Sequence, residues 1–166
     1  MLPLIGAVGT RTLAGERKGD YSMAGDVAGV RSKVQQFLTQ NFNDVNIDRE
    51  GDFSLRNGSA RIFVRTRTRE GSDITWISLD VPLLLEVKET PQVFEHVALH
   101  ADDYVFGHLS AARTDDGLMI YLSHALLGDY LDEPELLRAV GAMLGTADDL
   151  DDDLKDKFGG KRFHES

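Results

Sequence analysis

Hydrophobic positions along the chain repeat with two different periods, and the order of those periods predicts the fold. Between residues 27 and 42 the apolar residues recur at helical spacing, and Asp26 stands where an N-cap is needed. The apolar positions of this helix are Val27, Val30, Val34, Phe37, Leu38 and Phe42. Residues 45–48 and 53–56 follow with strand-like composition, separated by a turn that contains Gly51. The patterned part of the chain therefore begins with one helix and continues with strands.

The most regular alternation lies in residues 61–69 and again in residues 74–81. Successive side chains of a strand point to opposite faces, so each segment has one apolar face. The apolar faces carry Ile62, Val64, Thr66 and Thr68 in the first segment and Thr75, Ile77, Leu79 and Val81 in the second. The opposite faces carry Arg61, Phe63, Arg65, Arg67 and Arg69 in the first segment and Ile74, Trp76, Ser78 and Asp80 in the second. A turn at residues 70–73 predicts a hairpin, which places the arginines on the same side as Trp76 and Asp80.

Two further helical segments and a second hairpin are predicted in the rest of the chain. Thr90-Pro91 is typical of a helix start. The apolar face of that helix is expected at Val93, Phe94, Val97, Ala98 and Ala101. Residues 105–113 and 118–127 predict a hairpin. Asp132 begins the last helical segment, in which Gly145-Thr146 predicts a break into two capped pieces.

The resulting order, α-β-β-β-α-β-β-α, predicts an α+β fold. Helices would pack on a single antiparallel sheet of about five strands. The length of 166 residues and the hydrophobic share of 42% suit one domain with its own core. We expect this domain to span residues 25–158, between a disordered leader at residues 1–24 and a flexible tail at residues 159–166.

Charge and cysteine content narrow the class of protein. The net charge is −10, which disfavours general binding to nucleic acid or anionic membranes. The chain has no cysteine, which fits a reducing compartment, and no apolar run approaches the roughly 18–20 residues of a membrane span. The positive residues of the leader follow its short apolar stretch, which argues against a secretory signal, and Met23 is an alternative start. A cytoplasmic location with no membrane partner is therefore expected.

The residues that could carry chemistry do not complete a motif. His96 and His100 stand four positions apart on the predicted second helix, but a zinc-protease motif needs Glu where Val97 stands. The acidic run at residues 148–153 lacks the Gly and the Glu that an EF-hand loop requires, so it is expected to form the solvated face of a helix. We therefore expect no catalytic residue, no metal, no cofactor and no enzyme activity.

His108 and His124 are expected on paired strands, both alternating with apolar residues. Ser110 and Ser123 stand near them, but no nucleophile elbow or oxyanion loop surrounds either serine. Histidines satisfied within the sheet are the expected outcome.

Four segments of the chain serve as landmarks for comparison with known families. They are residues 48–53 (DREGDF), residues 62–65 (IFVR), Thr90-Pro91 and residues 146–160, which end in FGG. From residue 26 to residue 160 the chain resembles the YbjN family, whose fold is that of type III secretion chaperones. Residues 146–160 are most similar to actinobacterial members. The resemblance implies a cytosolic protein without enzyme activity that binds partner proteins, often as a dimer, with a sensory or stress role. It supplies no agreed functional residues.

The arginine side of residues 61–69 is the unusual surface in this acidic chain. Protein-binding hot spots use aromatic and Arg side chains, and Arg can stack on Trp as a cation–π pair. We expect a protein-binding surface at Arg61, Phe63, Arg65, Arg67 and Trp76. Two other interpretations remain open. In the first, the arginines serve only to solubilise an open sheet face, paired with Asp80 and other acids. In the second, they hold single-stranded nucleic acid, although the negative net charge argues against this.

The expected function is a non-enzymatic, chaperone-like module that binds partner proteins as a homodimer. Leu99 falls outside the apolar face of the second helix, and this helix often serves dimerisation in chaperone-like relatives. His96 and Leu99 are therefore the expected dimer contacts. The alternative is a regulator that binds a small ligand or nucleic acid on the face of residues 61–69.

Overall fold

A computed structural model describes residues 26–68 and 73–165. In this part of the chain three helices accompany one seven-stranded antiparallel sheet. The helices are α1 (Val27–Asn41), α2 (Pro91–Leu99) and α3 (Glu133–Phe158). The strands are β1 (Asn46–Ile47), β2 (Phe53–Asn57), β3 (Ala60–Thr68), β4 (Thr75–Val87), β5 (His108–Thr114), β6 (Gly117–Leu127) and β7 (Lys161–Arg162). The predicted leader, Arg69 and the turn at residues 70–72 lie outside the described residues.

The strands form the order β1-β2-β3-β4-β6-β5, and β7 pairs with β4 beyond the end of the β3 ladder. The predicted α+β fold with a single antiparallel sheet is confirmed, but the sheet has seven strands instead of about five. The short strands β1 and β7 account for the difference. Two residues each are too few to show an alternating pattern, and β7 forms only because α3 ends close to β4.

The core lies between one face of the sheet and the two helices α1 and α3. Alternate residues of β3 and β4 are buried there, as the alternation predicted. α1 contributes Val30, Val34 and Leu38, and the side chain of Asp26 caps it by accepting a hydrogen bond from the backbone N of Gly29. α2 lies beside β5 and buries only Val93, because Phe94 and Ala98 of its predicted apolar face are exposed. Thr90 occupies its N-cap position without a side-chain cap hydrogen bond.

The predicted break at Gly145-Thr146 is wrong, because α3 is one continuous helix from Glu133 to Phe158. Buried side chains continue on its sheet-facing side past the glycine, through Ala147 to Leu154. A glycine inside a helix costs only about 1 kcal/mol relative to alanine. Packing of the following turns against the sheet therefore outweighs the local preference for a stop.

Two short elements follow α3 in the residues that the sequence assigned to a tail. After Gly159 and Gly160 the chain turns back, and Lys161 and Arg162 pair with Leu85 and Leu84 of β4. A short 3-10 helix, Phe163–Glu165, follows and contacts β3 and β4. We call residues 160–165 the C-terminal segment. Residues of this segment reach the face of the sheet that α1 and α3 leave uncovered.

Candidate functional site

The face of the sheet opposite α1 and α3 is the main candidate site. We call it the open face, because no helix in the described residues packs on it except the short 3-10 helix of the C-terminal segment. Its side chains are half-buried, and they alternate with the buried residues of the core. The open face is formed by Arg61, Phe63, Arg65, Arg67, Trp76, Ser78, Asp80, Pro82, Met119, Tyr121 and Ser123.

Strand register brings the sequence-predicted residues of this face together. Arg67 pairs with Trp76, which in turn pairs with the exposed Leu127 of β6. Four residues farther along each strand on the same face, Phe63 pairs with Asp80, which pairs with Ser123. All five residues expected on the protein-binding surface therefore lie on one side of neighbouring strands.

Two carboxylates hold the arginines in the middle of the open face. Asp52 accepts from Arg67 Nη2 at 3.0 Å and lies 3.5 Å from Arg65 Nε, although its own side chain is only 6% exposed. Asp80 accepts from Arg65 Nη1 at 3.0 Å, and it also accepts from the hydroxyls of Ser78 at 2.6 Å and Ser123 at 2.9 Å. Charge-assisted hydrogen bonds of this kind fix side-chain positions. The arginines are therefore largely neutralised and oriented along the sheet.

Phe63 is the aromatic ring on which the arginines stack. The guanidinium carbons of Arg61 and Arg65 lie 5.2 Å and 4.9 Å from its ring centroid. Phe163 meets the same ring edge-on, with centroids 5.7 Å apart and planes at 85°. The sequence had suggested stacking on Trp76. In the described residues these arginines stack on Phe63 instead, because the two-residue repeat of β3 places Phe63 between Arg61 and Arg65 on one face.

A cavity of about 430 Å³ opens on this face next to Phe63. Its lining is formed by Phe63, Arg65, Asp80, Pro82, Met119, Tyr121 and Phe163. Apolar walls with a few oriented polar groups are what small binding sites in proteins use. The arrangement offers binding surface for an apolar side chain beside a fixed Arg–Asp pair.

The residues of this site that sequence reasoning missed include Asp52, Met119, Tyr121 and Phe163. Asp52 was assigned to a turn, and its burial depends on the two arginines above it. Met119 and Tyr121 alternate with the buried Leu118, Ile120 and Leu122, and this period could have placed them on the open face. Phe163 gave no signal, because it reaches the sheet only through the turn after α3.

The residues expected at a dimer contact lie on α2 and face different surroundings. Leu99 is 71% exposed. His96 is half-buried, and its ring lies 4.3 Å from that of His100 and 5.1 Å from that of Phe158. Lys157 Nζ lies 3.0 Å from His96 Nδ1, and this contact needs an unprotonated Nδ1 because an ammonium only donates. Burial, together with the nearby charges of Lys157 and His100, lowers the pKa of His96.

The histidines of β5 and β6 and the acidic run of α3 lie outside these two surfaces. His108 pairs with Ser123, so His108 and His124 lie on paired strands, as expected. Burial, and then the charge of His108, lowers the pKa of His124. In the acidic run, Asp151 departs from the expected solvated face, because it is only 5% exposed and accepts a hydrogen bond from the Ser59 hydroxyl at 2.8 Å.

No group of three or more potential metal ligands is found among residues 26–68 and 73–165. None of the helices in that same part of the chain has the length and apolar character needed to cross a bilayer.

Residues 28–166 match the sequence model of a family described as T3SS (YopN, CesT) and YbjN peptide-binding chaperone 1, abbreviated TY-Chap1. The chain belongs to the TY-Chap1 family. This membership confirms the resemblance to YbjN proteins and type III secretion chaperones that the sequence landmarks indicated. The matched region of this TY-Chap1 protein includes the C-terminal segment as well as the sheet and the helices.

Among the solved structures that resemble this TY-Chap1 chain are two type III secretion chaperone complexes. One is that of the Yersinia pestis type III secretion chaperone SycH in complex with a stable fragment of YscM2, with 11% identity, a TM-score of 0.49, and coverage of 71% of this chain and 96% of that one. The other is the HopA1–SchA chaperone–effector complex, with 14% identity, a TM-score of 0.54, and coverage of 76% and 98%. The second likeness shows that the fold is shared. No curated protein matches the chain by sequence.

Proposed function

We propose that this protein is a non-enzymatic, chaperone-like module that binds segments of partner proteins on the open face of its sheet. The observation that carries the proposal is the half-exposed aromatic and arginine surface around Phe63, next to a cavity of about 430 Å³. Membership in a family described as peptide-binding chaperones supports the same function. The HopA1–SchA complex is described as a chaperone bound to an effector, which fits protein segments as ligands.

The ion pairs of the open face indicate how such a segment would be held. Asp52 and Asp80 neutralise Arg65 and Arg67, so the face presents oriented dipoles rather than a strong positive field. Phe63 and the cavity then supply apolar contact area, and Arg61 and Arg65 supply hydrogen-bond donors beside it. Fixed side chains lower the entropy cost of binding, because fewer rotamers must be immobilised.

We further propose that the protein acts as a cytoplasmic homodimer that uses the α2 surface around His96 and Leu99. Leu99 is 71% exposed, and Val105 is a further exposed apolar side chain near the same edge of the sheet. β5 pairs only with β6 in the described residues, so one side of it borders no other strand. Leu99→Glu should convert a dimer to a monomer in light scattering, and a wild-type monomer would reject this part of the proposal.

The binding experiment compares two Phe–Arg pairs of the same chain. One variant carries Phe63→Ala and Arg65→Ala on the open face. The matched control carries Phe94→Ala and Arg113→Ala, because the Arg113 guanidinium carbon lies 5.6 Å from the Phe94 ring centroid on another surface. Each tagged protein is purified from its native cells. The proteins that co-purify with it are quantified by mass spectrometry relative to those that co-purify with the tagged wild type.

We expect the open-face variant to lose partners that the wild type and the control retain, with folding checked by circular dichroism. If both variants recover the same amount of each partner protein, the open face is rejected as the binding site. A regulator of nucleic acid is the less favoured alternative, because paired arginines and a net charge of −10 oppose phosphate binding. Oligonucleotide binding at low salt that weakens steeply with added salt would favour that alternative.

A further inference from the structure

The C-terminal segment is folded back against the sheet by a turn that only glycine accommodates. Gly159 and Gly160 have φ values of +70° and +85°, in the left-handed region. A Cβ atom on Gly160 would lie 2.6 Å from the carbonyl oxygen of Leu85 and 2.9 Å from Cγ2 of Val87. The close approach of Gly160 to β4 is therefore what lets the next residues pair with this strand.

The edge of β4 that receives β7 is left free by β3. The β3 ladder reaches β4 only as far as the pair of Phe63 with Asp80, while β4 continues to Val87. β7 occupies part of this remaining edge at Leu84 and Leu85. Addition of a strand to a free sheet edge is a common way in which proteins bind extended peptides.

Successive residues of the C-terminal segment point to opposite sides of the sheet. Arg162 contacts Asp152 of α3, on the core side. Phe163 points to the open face, where it meets Phe63 and lines the cavity. The segment thus places one aromatic ring in the site where we propose that partner segments bind.

The contacts that hold the segment are few and mostly reached by solvent. β7 has two residues, and its flanking ion pairs Lys161–Glu86 and Lys155–Glu165 join partly exposed side chains. Arg162, whose side chain is 27% exposed, adds ion pairs with Asp152 and Glu165 and lies 4.0 Å from the buried Asp151. Exposed ion pairs contribute little, because water and salt screen them. Phe163 itself is half-exposed, so its ring leaves part of the cavity unfilled.

We propose that the C-terminal segment is an internal occupant of the open-face site, and that a partner displaces it with an extended segment carrying an aromatic side chain. The partner's aromatic ring takes the position of Phe163 beside Phe63, and its backbone takes the place of β7 on β4. This inference rests on the proposed function, and it adds the chemistry of the partner and a built-in competitor.

The probe is a labelled synthetic peptide of residues 159–166, added to the full-length protein. The tethered segment competes with the free peptide at an effective concentration in the millimolar range. If the free peptide binds the empty site with a Kd of about 0.1 mM, this competition should raise its apparent Kd for the wild type about tenfold. The peptide should therefore bind full-length Phe163→Ala about tenfold more tightly than the wild type. A peptide with Ala at the same position should bind neither protein.

His164→Ala is the matched control, because His164 is exposed in the same 3-10 helix and should leave the affinity at the wild-type value. Gly160→Ala provides a second route, because it should loosen the segment without removing a ring from the cavity. Equal peptide affinity for the wild type, Phe163→Ala and Gly160→Ala would overturn the inference. Undetectable binding to Phe163→Ala at 1 mM peptide would overturn it as well.

Partner capture separates this inference from the function on which it rests. The double variant Phe63→Ala, Arg65→Ala could lose the partner while Phe163→Ala captures no more of it than the wild type does. In that case the proposed function stands, and the inference that the C-terminal segment competes with the partner fails. The peptide could instead bind Phe163→Ala more tightly than the wild type while partner capture is unchanged by the Phe63→Ala, Arg65→Ala variant. In that case the proposed function fails, and the contact of the C-terminal segment with the open face stands.

Discussion

Replacing Gly145 by alanine distinguishes a continuous α3 from a helix that breaks in its middle. Gly145 is exposed inside α3, and a Cβ atom built there meets no other atom within 4 Å. Alanine in a helix interior is more favourable than glycine by about 0.5–1 kcal/mol, because glycine loses more conformational freedom on folding. We expect Gly145→Ala to raise the free energy of unfolding by this amount. The corresponding rise in Tm is about 2–4 °C per kcal/mol for a chain of this size.

Gly141→Ala is the matched control for this measurement. Gly141 lies one turn earlier in α3, is also exposed, and also has free space around its Cα. Both variants are unfolded in urea and followed by far-UV circular dichroism. If α3 stopped near Gly145, this residue would need a left-handed conformation, and alanine there would lower the stability by about 1 kcal/mol. A loss for Gly145→Ala beside a gain for Gly141→Ala would refute the continuous helix.

The remaining predictions concern charges. Asp52→Asn should lower the free energy of unfolding by about 1–3 kcal/mol, because a buried carboxylate that anchors Arg65 and Arg67 is lost; an unchanged urea midpoint would show that the arginines do not need it. The lowered pKa values of His96 and His124 mean that the unfolded chain binds their protons more readily. Stability should be full above about pH 6.5 and should fall as the pH decreases below that value. His96→Gln should make this loss of stability at low pH smaller. A variant with the same pH profile as the wild type would show that His96 does not contribute to it.

The faces of β3 and β4 could be predicted from the sequence, because the alternation of residues 61–68 with residues 75–81 has a single consistent reading. Two strands with one apolar face each must turn those faces to the same core. The alternation alone therefore places Arg65 and Trp76 on the same side of the sheet. The order of helices and strands followed from the same periods and from the turn at residues 114–117.

Long-range contacts account for what could not be predicted. The burial of Asp52 depends on arginines of another strand, and the burial of Asp151 depends on Ser59 across the fold. α3 continues through Gly145 because the sheet beneath it offers packing on both sides of the glycine. Phe163 reaches Phe63 only because α3 ends at the free edge of β4. Local sequence patterns carry none of this information.

Photo-crosslinking from the open face tests the central claim most directly. Tyr121 lines the cavity on this face, whereas the half-exposed Tyr104 packs against the core. A photo-reactive phenylalanine analogue replaces one or the other tyrosine in the full-length protein, and adducts formed in native cells are identified by mass spectrometry. We predict adducts to segments of partner proteins from position 121, enriched in aromatic residues at the attachment point, and few or none from position 104. Partner adducts from position 104 together with none from position 121 would contradict binding on the open face.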